Sequence, residues 1–324
     1  MKNRITLSCA LAIVLAGEVM QAGADAKATE ILAAARQAIG DKKLESLKTL
    51  TVEASVQRNV NTMQMTSDVE ILLELPDKYL RSDASSGPMS MTMNNGFVGE
   101  KVIRPANASS MTGGMMVIRM GPGGPMPAGE KPSPEEQARI DKQMIRSSRA
   151  EISRLMLGWF ATTHPAIAAE YTYAGEAESP DGKADVIDAK DADGFSARLF
   201  IDRETHLPLM VTYQGPQLRM ITAGGPPQGG PGGGVRVAPG AERREMTEDE
   251  RRKAREAADK QLDELRNQPP AMVEFTLFFD DWREAGGIQF PHRIRRASAG
   301  TTNEEWTVGQ VRVNPKLDPK KFES

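Results

Sequence analysis

The side chains able to do chemistry are few and scattered. His164, His206 and His292 are the only histidines. No second His or Cys stands at a metal-ligand spacing from any of them. Each has a proline within two residues, the setting of a strand or helix end rather than of a base. Gly194-Phe195-Ser196-Ala197-Arg198 lacks the second glycine of a nucleophile elbow. The glycine clusters at Gly121–Gly124 and Gly229–Gly234 lack the Lys-Ser/Thr ending of a phosphate loop. Asp280-Asp281 is a carboxylate pair of the type that serves acid–base work. Neighbours on a strand point to opposite faces, however, so a turn or strand-end role is expected. The reading is of a chain that is not an enzyme, with no catalytic set, no cofactor and no metal centre.

Methionine is the more informative residue. There are 18, and they cluster. Met63 and Met65, then Met89, Met91 and Met93, are spaced by two, so each set shares one face of a strand. Flexible, polarizable thioethers suit a surface that repacks around apolar ligands, although plain core filling also accounts for them. A second group, Met111, Met115, Met116, Met120 and Met126, has the ligand type for Cu(I), which keeps a copper-binding protein as an alternative.

The elements that must position these residues are mostly strands. Ala28, Ile31, Leu32, Ala35 and Ile39 recur at helical spacing, so a helix is expected over 27–40. The period then changes to two. Leu50, Val52, Ala54 and Val56 alternate with polar residues, as do Met65, Val69, Ile71, Leu73 and Leu75. Asn95-Gly96 reads as a hairpin turn ahead of Phe97 to Ile103. Ser133-Pro134-Glu135-Glu136 starts a helix over 134–160 with an N-cap, a proline at N1 and a capping-box Glu. Strands return at 171–178, 183–190, 195–202, from 207 to about 221, 272–280, 288–296 and 301–313. Gly/Pro-rich stretches at 105–132 and 223–240 read as loops. A charged helix over 247–267 completes an insertion at 223–270. Strands joined by short turns argue for an antiparallel sheet. The fold class expected is α+β, a curved antiparallel β-sheet (an incomplete barrel) with helices covering its concave face.

The N-terminus carries a basic start (Lys2, Arg4), an apolar run from Ile5 to Ala16, and Ala22-Gly23-Ala24 before Asp25. This is the pattern of a cleavable signal peptide over residues 1–24. A run of about 12 residues is shorter than the roughly 20 a spanning helix needs. The 25–324 remainder is expected as a single periplasmic domain, or a secreted one, with no transmembrane segment. Removing Lys2, Arg4 and Glu18 from 41 basic and 44 acidic residues leaves 39 and 43, a charge of −4. That balance argues against a nucleic-acid partner. Cys9, the only cysteine, leaves with the signal.

The C-terminal half resembles a known family. Asp202 with Thr205 and Pro208 matches a D-x-x-T-x-x-P turn. Asp281-Trp282-Arg283 with Gly286-Gly287-Ile288-Gln289-Phe290-Pro291 matches a D-W-R-x-x-G-G-I-x-F-P segment. Asn314-Pro315, Leu317-Asp318 and Phe322 match a closing N-P-x-L-D-x-x-x-F tail. Together these are similar to the outer-membrane lipoprotein-sorting (Lol carrier-like) superfamily of exported bacterial proteins. The resemblance implies a half-barrel around a hydrophobic cavity and a carrier of lipid or lipoprotein acyl chains that works without a cofactor. The ligand is then expected against Met65, Val69, Ile71, Leu73, Met89, Met91 and Met93, with Met156, Trp159 and Phe160 as the lid. The alternative is an envelope scaffold or regulatory sensor that acts on a protein partner.

Overall fold

The computed structural model describes residues 25–60, 63–85, 91–103, 117–119, 133–179, 182–217, 220–222, 249, 252 and 271–323. The expected signal segment and most of the expected charged helix lie outside them. The chain divides into two compact units. One comprises residues 1–106, 134–215 and 273–324, and the other residues 107–133 and 216–272. Among the described residues, no helix is long and apolar enough to cross a membrane.

The first unit opens with helix α1 (residues 25–39) and the short α2 (Lys42–Glu45). Strands β1 (Thr49–Val60), β2 (Met63–Glu74), β3 (Lys78–Ser85), β4 (Met91–Val98) and β5 (Lys101–Ile103) follow as a meander. Helix α3 (Pro134–Phe160) leads into β7 (Glu170–Ser179), β8 (Gly182–Lys190), β9 (Ser196–Asp202) and β10 (Pro208–Pro216). The chain ends with β12 (Met272–Ala285), β13 (Ile288–Ser298), β14 (Thr301–Val313) and a 3-10 turn at Pro319–Phe322. These strands form one sheet of 12, in the order β5-β4-β3-β2-β1-β14-β13-β12-β10-β9-β8-β7. It is a curved, open antiparallel sheet, so the expected α+β class holds. In the second unit, β6 (Val117–Arg119) pairs antiparallel with β11 (Met220–Thr222).

Pairing of β1 with β14, from Leu50 opposite Val313 to Arg58 opposite Glu304, joins the first meander to the last. Helix α3 carries the chain from one sheet edge, β5, to the other, β7. It packs on β4, β5 and β9 on the way. The edges are protected. β5 is three residues long, and β7 carries Glu170, Glu176 and Glu178 with an irregularity between Tyr173 and Gly175.

The strand expected from 207 to about 221 is divided into β10 and β11, which belong to separate sheets, and β12 runs through Asp280-Asp281 to Ala285 instead of ending there. The expected hairpin departs as well. Asn95-Gly96 lies inside β4, and the hairpin turn falls at Gly99-Glu100. A Cβ on Gly96 would stand 2.1 Å from the Tyr79 carbonyl oxygen. The glycine therefore serves close strand approach, not a turn.

The core lies on the inner face, between the sheet and helices α1 and α3. Ala28, Leu32, Ala35 and Ile39 of α1 meet Leu50, Val52 and Val56 of β1 and the α3 stripe in one cluster. A smaller cluster on the outer face joins Leu72, Leu80 and Ile103 to Phe322, with Leu317 against it. The tail that carries Phe322 is stapled by Asn314. Its Oδ1 accepts from Lys48 N (2.7 Å) and Thr49 N (3.2 Å), and its Nδ2 donates to Ser46 O (3.1 Å).

Helix α3 sits so close to the sheet that a Cβ on Gly158 would fall 1.9 Å from the Phe279 ring. Ala is a better helix former than Gly by about 1 kcal/mol, but overpacking a buried contact costs about 1–3 kcal/mol. We expect Gly158→Ala to lower Tm, and Phe279→Leu to restore it in the double variant. Thermal denaturation of the two singles and the double checks this.

Candidate functional site

Six of the expected ligand-binding residues come together. Val69, Ile71 and Leu73 face inward from β2, and Met156, Trp159 and Phe160 face them from α3. All are at most 3% exposed and belong to the main core cluster. Trp159 stands 5.1 Å from the Phe290 ring and Phe160 stands 6.1 Å from it. This part of the inner face is closed by side chains. Met65 and Met93 are not part of it. They share the inward parity of their strands but are 50% and 47% exposed. Met91 starts β4, while Met89 and the methionines at 111–126 lie outside the described residues.

Along the strands the inner face changes character in one direction. In β1, Leu50, Val52, Ala54 and Val56 lead to Arg58. In β3, Tyr79 leads to Arg81 and Asp83. In β13, Ile288, Phe290 and Ile294 lead to Arg296. In β14, running the opposite way, Glu304 comes before Trp306 and Val308. The face is a trough with an apolar end and a charged end. Sequence reasoning missed the charged end.

Arg81 is the centre of that end. Its Nε donates to Asp83 Oδ2 (2.8 Å) and its Nη1 to Glu151 Oε1 of α3 (2.8 Å). Glu304 lies 3.7 Å from Nη2, and the Trp306 ring centroid is 4.7 Å from the guanidinium carbon. Arg58 bridges Asp83 (2.5 Å) and Glu304 (3.1 Å) and donates to Ser67 Oγ (2.8 Å). Ser148 of α3 donates to Asn95 Oδ1 (3.0 Å), and Arg149 bonds Glu100 (2.6 Å). These bonds fix the middle of α3 to the sheet.

The electrostatics follow from this packing. Burial works against Arg81's charge, but Glu151, Glu304 and Asp83 outweigh it and raise its pKa. Burial likewise opposes ionisation of Glu304. Arg296, Arg81, Arg58 and a hydrogen bond from Trp306 Nε1 prevail and hold its pKa at about 2, against an ordinary 4.5.

His164, Asp280, Asp281 and Asp202 are each held by neighbouring groups. His164 is fully buried at the end of α3. Its Nδ1 accepts from Ala166 N (3.1 Å), and burial, with Arg149 nearby, lowers its pKa from 6.5 to about 4. Asp280 pairs with Arg295 (2.8 Å) and Asp281, at a bulge with φ 55°, pairs with Arg283 (2.6 Å). The two carboxylates have separate partners. Asp202 Oδ1 accepts from Glu204 N, Thr205 N and Thr205 Oγ1, which explains the D-x-x-T turn. Among the described residues, no three His, Cys, Asp or Glu side chains converge as a metal site.

The class this geometry defines is an open antiparallel half-barrel with a long helix laid across its inner face. Solved structures of similar fold include a LolA superfamily protein from Nitrosomonas europaea (9% identity, TM-score 0.46, covering 91% of this chain and 96% of that one). A DUF1329 family protein from Desulfovibrio piger gives 9% identity and a TM-score of 0.39, over 91% and 96% of the two chains. An outer membrane lipoprotein-sorting protein domain from Vibrio parahaemolyticus gives 10% and 0.40, over 92% and 97%. No protein-family profile matches the chain, and no curated protein matches it.

Acid should weaken the fold in two windows. Neutral His164 is favoured in the folded state, so stability falls as pH drops from 6.5 to about 4, by on the order of 3 kcal/mol. Ionised Glu304 is favoured in the folded state, so its contribution is lost between pH 4.5 and about 2. We expect His164→Gln to flatten the upper window. Glu304→Gln should flatten the lower one and cost about 3–5 kcal/mol at neutral pH by stranding Arg58 and Arg81. Urea denaturation of the three proteins from pH 8 to pH 3 checks both.

Proposed function

We propose that this chain is an exported, non-enzymatic binder that holds an acyl chain between the sheet and helix α3. The observation that carries the reading is the apolar half of the trough. Its lining comes from the sheet on one side (Val69, Ile71, Leu73, Phe290, Trp306) and from a single helix on the other (Ile152, Met156, Trp159, Phe160). A ligand enters by replacing the helix's side chains with its own methylenes. The energetics suit such an exchange, because each buried CH₂ supplies about 0.8 kcal/mol. The likeness to lipoprotein-sorting structures agrees with this reading and is not needed for it.

Binding should then depend on chain length and little else along the tail. We expect delipidated protein to bind palmitate more tightly than laurate by at least about tenfold, short of the roughly 200-fold ceiling for four methylenes. The double variant Met65→Asp/Met93→Asp should keep its Tm, since both side chains are half exposed, and should bind palmitate about tenfold more weakly. Isothermal titration gives both numbers, and native mass spectrometry of protein taken from its own envelope shows whether acyl lipid co-purifies. A clean apo mass with no palmitate uptake sinks the reading. It would favour the second one, an envelope scaffold acting on a protein partner. The closed packing of Trp159, Trp306, Phe160 and Phe290, each at most 2% exposed, is the observation that suits that second reading.

A further inference from the structure

The charged end of the trough is not electrically balanced. Four guanidinium groups, Arg58, Arg81, Arg154 and Arg296, face three carboxylates, Asp83, Glu151 and Glu304. Arg149, the fifth nearby, is matched by Glu100. Arg58 and Arg81 take every short ion pair these carboxylates make. Arg296 makes only a 3.9 Å ion pair with Glu151 and a longer-range interaction with Glu304 opposite it, and Arg154 has no carboxylate within ion-pair distance among the described residues. The Nε atoms of both Arg154 and Arg296 are buried without an acceptor.

Arg154 is nevertheless held firmly. Its guanidinium carbon lies 4.0 Å from the Tyr213 ring centroid and 5.6 Å from that of Phe195, and Tyr213 is itself stacked on Phe275 at 5.3 Å. A guanidinium stacked on aromatic faces keeps its in-plane N–H groups free for a carboxylate or phosphate. Arg154 and Arg296 also repel one another, one from α3 and one from β13. Arg296 also faces Glu304 across the β13–β14 pairing, which offsets its charge, whereas burial outweighs what Tyr213 and Glu151 offer Arg154, so Arg154 is the cation that a further anion would relieve. Arg154 is only partly buried, so such an anion reaches it without unfolding the lid. On α3 the next residues are Leu155, Met156, Trp159 and Phe160, the lining of the apolar half.

From this we infer that Arg154 and Arg296 form an anion site at the mouth of the trough that binds the carboxylate or phosphate headgroup of the acyl ligand. The inference rests on the acyl-binding reading and specifies its ligand as an anionic single- or double-chain lipid, with the head on Arg154 and Arg296 and the tail along α3. Recognition at the head is a bidentate, charge-assisted contact. Recognition of the tail is by burial alone.

The test compares oleate with methyl oleate, both delivered from cyclodextrin, by isothermal titration on the delipidated full-length mature protein. The two share a tail and differ in charge. We expect oleate to bind at least about tenfold more tightly, as one charge-assisted hydrogen bond implies. Arg154→Gln should abolish that ratio and leave methyl oleate binding unchanged, while Arg154→Lys retains part of it. Arg296→Gln, which leaves α3 intact, provides a second reading if Arg154→Gln folds poorly. Arg198→Gln, on an exposed arginine paired with Asp188, should change nothing. Equal binding of oleate and its ester by the unaltered protein overturns the anion site and leaves the acyl reading standing. Inorganic phosphate that raises Tm through Arg154 while oleate gains nothing over its ester shows a site for free anions, which overturns the headgroup assignment. Binding of neither lipid, with no phosphate effect, overturns this inference and the acyl reading together.

Discussion

Everything on the inner face depends on how Arg81 is satisfied. A guanidinium buried beneath a helix is tolerated only when its donors find acceptors, and Arg81 finds them on three elements: Asp83 on its own strand, Glu304 on β14 and Glu151 on α3. The contact with Glu151 fixes the register of α3 against the sheet. One residue further on, the apolar stripe begins with Ile152 and continues through Leu155, Met156, Trp159 and Phe160. A helix docked one turn away would leave Arg81 without its α3 partner and lift that stripe off Phe290 and Phe279. The polar cluster therefore sets the geometry of a packing it contributes little apolar area to.

The strands reinforce this by changing character together. β1, β3 and β13 run the same way, and each moves from apolar to cationic along its inner face. β14, running opposite, moves from Glu304 to Trp306. Because antiparallel register places residues opposite one another, a change at the same level in neighbouring strands produces a two-ended trough rather than scattered charges. The outer face has no such gradient. It is covered at Leu72 and Leu80 by the Asn314-stapled tail, where Asp318 caps the last turn by accepting from Lys320 N (3.0 Å).

The regular elements were legible because their periods are physical. Period two along Leu50–Val56 and Val69–Leu73 marks strands with one buried face, and the Ser133–Glu136 cap marks where α3 starts. The motifs at Asp202, Asp281 and Asn314 were legible as turns, and their hydrogen bonds show why those residue types stand there. The charged end was not legible. β3 buries Tyr79, Leu80 and Arg81 in succession because both sheet faces are covered at that point, so the alternation that would have placed Arg81 inward is absent. Glu304 sits beside Glu305 in a strand, where one points in and the other pairs with Arg293 on the outside. Local sequence does not separate them. Asn95-Gly96 misled for the same reason: its glycine answers to the backbone of β3, where its partner Leu80 lies 16 residues away in sequence.

A closed trough and a binding role are compatible on energetic grounds. The inward side chains of α3 (Ile145, Ile152, Leu155, Met156, Trp159 and Phe160) are worth about 2 kcal/mol each when buried, on the order of 12 kcal/mol together. A palmitoyl chain of about 15 methylenes, at about 0.8 kcal/mol each, supplies a similar amount. Exchanging one for the other is close to neutral, which is the condition for uptake and release without an energy source. It also means that much of the tail's gain is spent against the helix it displaces, so that chain length grades affinity without fixing the ligand's class. Among ligands with the same tail, the choice is then made at the end of the trough where the protein's own side chains leave charge unmatched, beside Arg154 and Arg296.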